Sequence, residues 1–332
     1  MTAALRIGVL GCAEIARRRM LPAFVAGERT ELVAVAARDP ERAEETARIF
    51  GCRAARRYED VLADPDIEAV YVPLPAALHE RWTEAALRAG KHVLAEKPLT
   101  TAHRSTARLL KLARSRGLAL MENVMFVHHG QHTAVRELVD QGEIGELCSL
   151  QAEFSVPALP SGDIRYRAEL GGGALWDTGV YPVRAALHLL GPELDVLGAH
   201  LTDGPGRTVD TGGAALLGGP DGVTVQLAFG LDRGYRSRYE LTGSKGRIVV
   251  DRAFTPPADH RPAIRLERSG GAEEISLEAH DQVAATVAAF ADAARTGASP
   301  DEATTLRQAV LLDDIRGRAR RAPTRPREGT TP

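Results

Sequence analysis

Lysine is nearly absent from this chain. Of its 42 Lys and Arg residues only four are lysines: Lys91, Lys97, Lys111 and Lys245. Cysteine is scarce too. Cys12, Cys52 and Cys148 are an odd count without a C-x-x-C pair. That excludes a disulfide framework and a thiolate zinc motif, and it fits the reduced thiols of a cytoplasmic protein. An excess of one charge is lacking as well. The 42 basic residues face 44 acidic ones for a net charge of -2, which leaves no electrostatic case for a nucleic-acid partner. No apolar run approaches the roughly 20 residues of a membrane span, and Met1–Leu10 lacks the basic start and apolar core of a signal peptide. No H-E-x-x-H occurs. His128 and His132 stand four apart with His129 beside the first, but no acidic or cysteine ligand follows at metal spacing. Packing and hydrogen bonding are the better reading of these histidines, and no metal is expected.

Against that scarcity, Lys97 stands out. Val93-Leu94-Ala95 is a short apolar run that reads as a buried strand, and it leads straight into Glu96-Lys97-Pro98. A chain that otherwise chooses arginine places at this strand end an ammonium, whose proton affinity burial can shift as a guanidinium's cannot. The bland alternative is a surface lysine capping a strand.

With 332 residues, 44% of them hydrophobic, the chain fits two domains. Leu5–Leu10 reads as a strand, and Gly11-Cys12-Ala13-Glu14-Ile15-Ala16 opens a helix. This follows the G-x-G-x-x-G plan with alanine at the second and third places. Gly11 permits the tight turn, the small residues let backbone approach a pyrophosphate, and the helix N-terminus offers amides to it. The second strand, Glu31–Ala37, ends in Ala37-Arg38 rather than in the acid that reads an NAD ribose. With no carboxylate to repel a 2′-phosphate and an arginine to pair with it, the cofactor reads as NADPH. Asp39-Pro40 reads as an N-cap with proline in the first turn of a helix to Phe50. Further strands are expected at Ile67–Val72, Lys91–Ala95 and Leu118–Met121, with helices to Ala89, carrying His79, and from Ala102 to Arg116. Such alternation predicts a doubly wound parallel sheet, a Rossmann fold, whose ligands lie at the carboxyl ends of the strands. Gly11, Ala37-Arg38, Leu74, Glu96-Lys97 and Glu122-Asn123 all fall there.

After Met121 the pattern changes. A helix is expected over His128–Gln141, and a strand over Leu147–Val156. Gly171-Gly172-Gly173 then leads into a helix that carries Asp177 and Tyr181 at i and i+4. Six strands between Glu193 and Glu267 follow, and helices at Asp281–Thr296 and Asp301–Arg318. This predicts an α+β domain with an open, mostly antiparallel sheet. The expected domains are 1–122 for the nucleotide, 123–319 for substrate and oligomerisation, and 320–332 as a flexible tail.

Gly11-x-Ala13-x-x-Ala16, Glu96-Lys97-Pro98 and Gly171-Gly172-Gly173-x-Leu175-x-Asp177-x-Gly179-x-Tyr181 together resemble the Gfo/Idh/MocA (glucose–fructose oxidoreductase / inositol dehydrogenase) family over nearly the whole chain. Met121-Glu122-Asn123, Met125-Phe126, His128-His129, Gly162–Tyr166 and Phe254–Pro257 resemble, within it, the nucleotide-sugar 3-ketoreductases of deoxysugar biosynthesis. The resemblance implies NADPH-dependent reduction of the C3 keto group of a dTDP-linked 3,4-diketo-2,6-dideoxyhexose. It implies that Gly11, Cys12, Ala13, Glu14, Ile15, Ala16, Arg17, Arg18, Ala37, Arg38, Tyr58, Leu74, His79, Glu96 and Lys97 line the cofactor, with Arg165 and Asp177 reaching it from the second domain. Lys97 and Tyr181 would be the catalytic pair, with tyrosine where many relatives carry histidine. Arg19, Lys97, Tyr181, Tyr235 and Thr255 would meet the dTDP-sugar, and a homo-oligomer, dimer or tetramer, is implied.

A phenol of ordinary pKa, about 10, needs a nearby cation to act as an acid. Lys97 supplies one whether it gives the proton itself or through Tyr181, and the sequence leaves that choice open. Two other functions compete. A free-sugar or polyol dehydrogenase using NAD is opposed by the missing acid after the second strand. A dinucleotide-binding sensor has no use for Lys97, Asp177 and Tyr181 together.

Overall fold

The computed structural model describes residues 3–323. They divide into two compact units: the chain as far as His129 together with Asp281–Leu306, and Gly130–His280 together with the residues from Arg307 onward.

The first unit is built on six parallel strands, β1 (Leu5–Leu10), β2 (Thr30–Ala36), β3 (Arg53–Ala55), β4 (Ala69–Val72), β5 (His92–Glu96) and β6 (Leu120–Asn123), in the order β3-β2-β1-β4-β5-β6. The central strands are apolar on both faces because both faces are covered. On one side Ile7, Val9, Tyr71 and Leu94 share a core with Phe24 of α1 (Leu21–Ala26), Ala43 and Ala47 of α2 (Pro40–Phe50), and Val287 and Phe290 of the late helix Gln282–Thr296. On the other, Val70, Val72, Val93 and Ala95 pack with α3 (Tyr58–Ala63), α4 (Ala76–Arg88) and α5 (His103–Ser115) through Val61, Leu62, Trp82, Leu87, Leu109 and Leu110. Strand order reverses between β1 and β4, so a crevice opens at their carboxyl ends, beside Gly11.

The second unit contains α6 (Gly130–Asp140), β7 (Leu147–Ser155), α7 (Val180–Leu190), β8 (Asp195–Asp203), β9 (Asp210–Gly218), β10 (Thr224–Gly230), β11 (Arg236–Gly243), β12 (Gly246–Asp251), β13 (Ala263–Arg268) and β14 (Gly271–Ser276). Helix α8 is the Gln282–Thr296 helix of the first unit, α9 (Glu302–Arg318) runs from one unit's residues into the other's, and β15 (Ala319–Pro323) follows. The nine strands, ordered β14-β13-β12-β11-β7-β10-β9-β8-β15, are antiparallel except for the β7–β10 and β8–β15 pairs. Burial alternates along them: Leu150, Ala152 and Phe154 of β7 and Val225, Leu227 and Phe229 of β10 face the α7 side, while Gln151 and Gln226 face outward.

Three differences from the sequence reading have physical causes. The tail expected from residue 320 begins as β15, because Ala319–Pro323 pairs in parallel with Ala199–Asp203 of β8; residues 324–332 lie outside the described residues. The expected 123–319 domain is interrupted, because the apolar face of α8 covers the first sheet. The helix expected over 128–141 is a 3-10 turn, Met125–His128, followed by α6 from Gly130.

Candidate active site

In the first unit the expected groups gather along the carboxyl edge of the sheet. Gly11 has φ +123°, and a Cβ there would lie 2.9 Å from Leu74 Cδ2, so only glycine fits the turn. Its amide donates to Ala36 O (2.8 Å), and Arg42 Nε donates to Cys12 O (2.7 Å), which fixes the loop from the α2 side. The Cys12 thiol is buried, and burial pushes its pKa up despite Thr46, Arg42 and Arg17 nearby; it is a small filler rather than a reactive thiolate. Loop ends at Ala13. Glu14 and Ile15 are already helical, and Ala16–Met20 is a π-helical turn. Arg17 pairs with Glu45 (3.1 Å), and Arg18 lies 3.9 Å from Glu14. Arg19, partly buried, and Arg38, exposed, have no ion-pair partner among the described residues.

Asp39 caps α2 by accepting from Glu41 N (3.1 Å), so its carboxylate is committed to the helix. Tyr58 stands edge-on to Trp82, with centroids 4.8 Å apart, and Arg81 lies over Trp82 at 4.9 Å. Burial and Cys12 raise the Tyr58 phenol, while the Arg38 amide and guanidinium pull it back, so Tyr58 and Arg38 form one corner.

The lysine stretch is held from three sides. Tyr71 O–H (2.7 Å) and Asn123 Nδ2 (2.6 Å) both donate to Glu96 Oε1, and Lys97 N approaches Oε2 at 3.4 Å. Leu99 N donates to Glu122 Oε1 (2.8 Å). The Lys97–Pro98 peptide is cis, and Lys97 is half-buried at the end of β5. His79 is fully buried, with Nδ1 2.8 Å from Pro98 O and Nε2 2.6 Å from Leu74 O. Burial is the largest cause lowering its pKa, and the Lys97 charge adds to it. Its ring nitrogens thus face the main chain of two loops. Tyr71 and Arg42 escaped the sequence reading, and Asn123 was placed at the strand end without its bond to Glu96. Tyr71 at a strand position looked like core, and nothing local marks Arg42.

In the second unit, Arg165 is gripped by two carboxylates. Nε donates to Asp177 Oδ2 (2.9 Å), and Nη1 lies 3.2 and 3.3 Å from the Asp163 oxygens. The Asp177 charge first, then Asp163, raises its pKa against the opposing effect of burial. Its loop is pinned by Tyr166, which donates to Asp232 Oδ1 (2.6 Å), accepts from Leu159 N (3.1 Å) and is stacked by Arg207 at 3.8 Å. Gly173, with φ +123°, brings the chain within 2.7 Å of Asp210 Oδ1 as measured from where a Cβ would stand. Asp210 Oδ2 accepts from Leu175 N (2.7 Å) at the head of the helix that carries Asp177 and Tyr181. That helix starts with a π-helical turn, Leu175–Gly179. Asp177 and Tyr181 leave it toward different neighbours: Asp177 meets Arg165, and the Tyr181 ring packs on Phe154 (4.6 Å) and Phe254 (5.8 Å). Tyr235 O–H and Thr255 Oγ1 lie 3.3 Å apart on an exposed rim. His132 is buried in hydrogen bonds to Tyr239 and Ala253. Among the described residues no three His, Cys, Asp or Glu gather as a metal site, and no helix is long and apolar enough to cross a membrane.

A parallel sheet with a glycine turn at its switch point, a polar strand-end rim around Lys97 and an open mixed sheet define the class. The chain belongs to the Gfo/Idh/MocA oxidoreductases: the model of the oxidoreductase family with an NAD-binding Rossmann fold matches residues 5–124, and that of the GFO/IDH/MocA C-terminal domain matches 132–249. Among its relatives is the dTDP-3,4-didehydro-2,6-dideoxy-alpha-D-glucose 3-reductase of Streptomyces violaceoruber, 56% identical over 94% of this chain and 95% of that one. The enzyme of the same name from Actinomadura kijaniata is 50% identical over 95% and 96%. The crystal structure of KijD10, a 3-ketoreductase from Actinomadura kijaniata, in complex with NADP and TDP-benzene superposes with TM-score 0.95 at 49% identity, covering 97% of this chain and 100% of that one. KijD10 has also been solved with a lysine replaced by alanine or glutamate and with a tyrosine replaced by phenylalanine.

Proposed function

We propose that this protein is an NADPH-dependent nucleotide-sugar 3-ketoreductase that reduces the C3 ketone of a dTDP-linked 3,4-diketo-2,6-dideoxyhexose to the alcohol. The observation that carries this reading is the identity of about half or more, over nearly full length, with reductases named for that reaction. The residues present fit the cofactor. The turn at Gly11 leaves space that a side chain would fill, the carboxylate that follows β2, Asp39, is committed to capping α2, and exposed Arg38 has no acidic partner among the described residues to draw it from a 2′-phosphate. Tyr58 and Leu74 would flank it, with Arg165 and Asp177 serving from the second unit. Bound there, NADPH supplies the hydride that reaches the carbonyl carbon.

This chain's part is to manage charge and proton. Lys97 holds an ammonium toward the ketone oxygen, stabilises the negative charge that grows on it, and donates the proton that completes the alcohol. Tyr181, its ring set by Phe154 and Phe254, hydrogen-bonds the same oxygen and orients it. Replacement of one lysine and one tyrosine in the solved KijD10 variants supports these two residue types as the ones of interest. Glu96, bonded by Tyr71 and Asn123, fixes the strand end that carries Lys97. Tyr235, Thr255 and Arg19 serve the nucleotide-sugar, Arg19 at its diphosphate.

The activity belongs in the cytoplasm, where three free thiols stay reduced. The outer face of the nine-stranded sheet is assigned to a homo-oligomer contact. It presents exposed Leu197 and Leu216 among small residues, with Glu153 and Arg238 as charges of both signs for a second copy. The test is loss of the NADPH absorbance band on mixing with a dTDP-linked 3,4-diketo-2,6-dideoxyhexose. Turnover of free sugars or polyols with NAD, and none with the nucleotide-sugar, would replace this reading with a dehydrogenase.

A further inference from the structure

Beneath the rim that carries Thr255 lies a buried polar chain which the proposed chemistry does not use. His132 of α6 stands 2.9 Å by Nδ1 from Tyr239 Oη and 3.1 Å by Nε2 from Ala253 O. The directions of these bonds follow from the groups themselves. A carbonyl only accepts, so Nε2 carries the hydrogen, and Nδ1 is left to accept from the phenol. Tyr239 donates to that bare nitrogen, and full burial, which pushes its pKa up with Arg136 offsetting this in part, keeps the hydrogen on the phenol. Gln131 Nε2 donates to the same Ala253 oxygen (3.1 Å), so two donors on adjacent residues converge on one carbonyl. On the other side of that peptide, Phe254 N donates to Ser237 Oγ (3.1 Å), and Ala253 N donates to Ser237 O (3.0 Å). The turn into Thr255 is thereby fixed at both faces by groups from α6 and β11. Phe254, fully buried, meets Phe154 at 5.5 Å and Tyr181 at 5.8 Å, and Thr255 meets Tyr235.

We infer that His132 is a positioning residue for the nucleotide-sugar end of the site: locked in one tautomer by Tyr239, it anchors Ala253 and so sets both the Phe254 ring behind Tyr181 and the Thr255 hydroxyl on the rim. This rests on the reading that Tyr181 and Thr255 face the nucleotide-sugar. The bond between Tyr239 and His132 does not itself touch substrate. Its effect reaches the site through one turn, which predicts a defect in sugar binding and turnover without a defect in cofactor binding.

The experiment compares His132→Phe, His132→Gln, Tyr239→Phe and Thr255→Val in the full chain. It measures kcat and KM for the dTDP-linked diketo sugar, the NADPH Kd and the melting temperature. His132→Phe removes both bonds while keeping an aromatic ring. Glutamine keeps a donor at nearly the reach of Nε2. His132→Phe should raise KM for the sugar about tenfold and lower kcat, with NADPH Kd unchanged, and His132→Gln should recover most of both. Tyr239→Phe frees the tautomer and should move the same constants in the same direction by less; it stands as the test if His132→Phe does not fold. Unchanged KM and kcat in His132→Phe or, failing that, Tyr239→Phe would overturn the inference, as would equal losses of sugar and NADPH binding. If Thr255→Val leaves KM unaltered, the assignment of the rim falls and this inference with it. If Thr255→Val raises KM while the His132 and Tyr239 variants do not, only the positioning role fails.

Discussion

Asp210 offers a sharp test of how the second unit builds its functional helix. Its carboxylate is 6% exposed and accepts from Leu175 N at 2.7 Å, at the start of the helix that carries Asp177 and Tyr181. Asp210→Ala removes a cap and leaves a buried amide without its acceptor. Those are two descriptions of one loss, so the expected cost is about 1–3 kcal/mol rather than their sum. In the thermal melt that is about 2–4 °C for each kcal/mol. Asp210→Asn behaves differently. It keeps an acceptor for Leu175 N and discards the charge. Burial is the largest influence on the Asp210 pKa and raises it, against the pull of the Leu175 amide. Because the folded pKa lies above the unfolded one, the folded state binds the proton more tightly, and ionisation at neutral pH subtracts stability. Asp210→Asn should therefore match or exceed the wild type at pH 7.5, and its advantage should shrink as pH falls toward the unfolded pKa near 3.8. Urea denaturation at pH 7.5 and pH 5 measures both effects. An asparagine variant as damaged as the alanine variant at pH 7.5 would refute the reasoning.

Two further outcomes follow from the first unit. Arg38→Ala should weaken NADPH about tenfold, the low end of a charged hydrogen bond because the site is exposed, and leave NADH nearly unchanged; equal losses in titrations of the two would remove the 2′-phosphate assignment. Burial lowers the folded pKa of His79 below the unfolded value of about 6.5, against the pull of the Pro98 and Leu74 carbonyls at its ring nitrogens. Its contribution is present above that value and is lost as pH falls below it, so the stability gap between wild type and His79→Gln should narrow from pH 7.5 to 5.5, by at most about 1.4 kcal/mol per pH unit. Urea midpoints that fall in parallel for the two proteins would contradict a lowered His79 pKa.

The sequence revealed those parts of the fold that repeat a local pattern. Strands β1, β2, β4, β5 and β6 are apolar runs that end in glycine, arginine, proline or charged residues, and Asp39-Pro40 announced α2. The edge strands β14 and β15 did not show. Gly271–Ser276 is mostly exposed, and Ala319–Pro323 reads as a basic linker; they pair through backbone ladders and exposed ion pairs, Glu273 with Arg268 and Arg321 with Asp203, rather than through an apolar face. The return of α8 to the first sheet was invisible because an amphipathic helix does not name the face it will cover. In the site, Lys97, Asp177 and Tyr181 stood out by rarity and spacing. Their supports did not. Asp210 caps a helix 35 residues away, and His132 meets Tyr239 across 107 positions, so no local window holds both partners. His79 was legible as a site residue, but that both its nitrogens face loop carbonyls was not.

The central claim is that Lys97 supplies the proton. Single-turnover oxidation of NADPH by Lys97→Met and Lys97→Ala, measured beside their NADPH Kd, tests it most directly. The account predicts a loss of about 10²–10⁴-fold in the rate with cofactor binding retained in both variants. Near-normal rates in both would contradict it and move the proton to Tyr181.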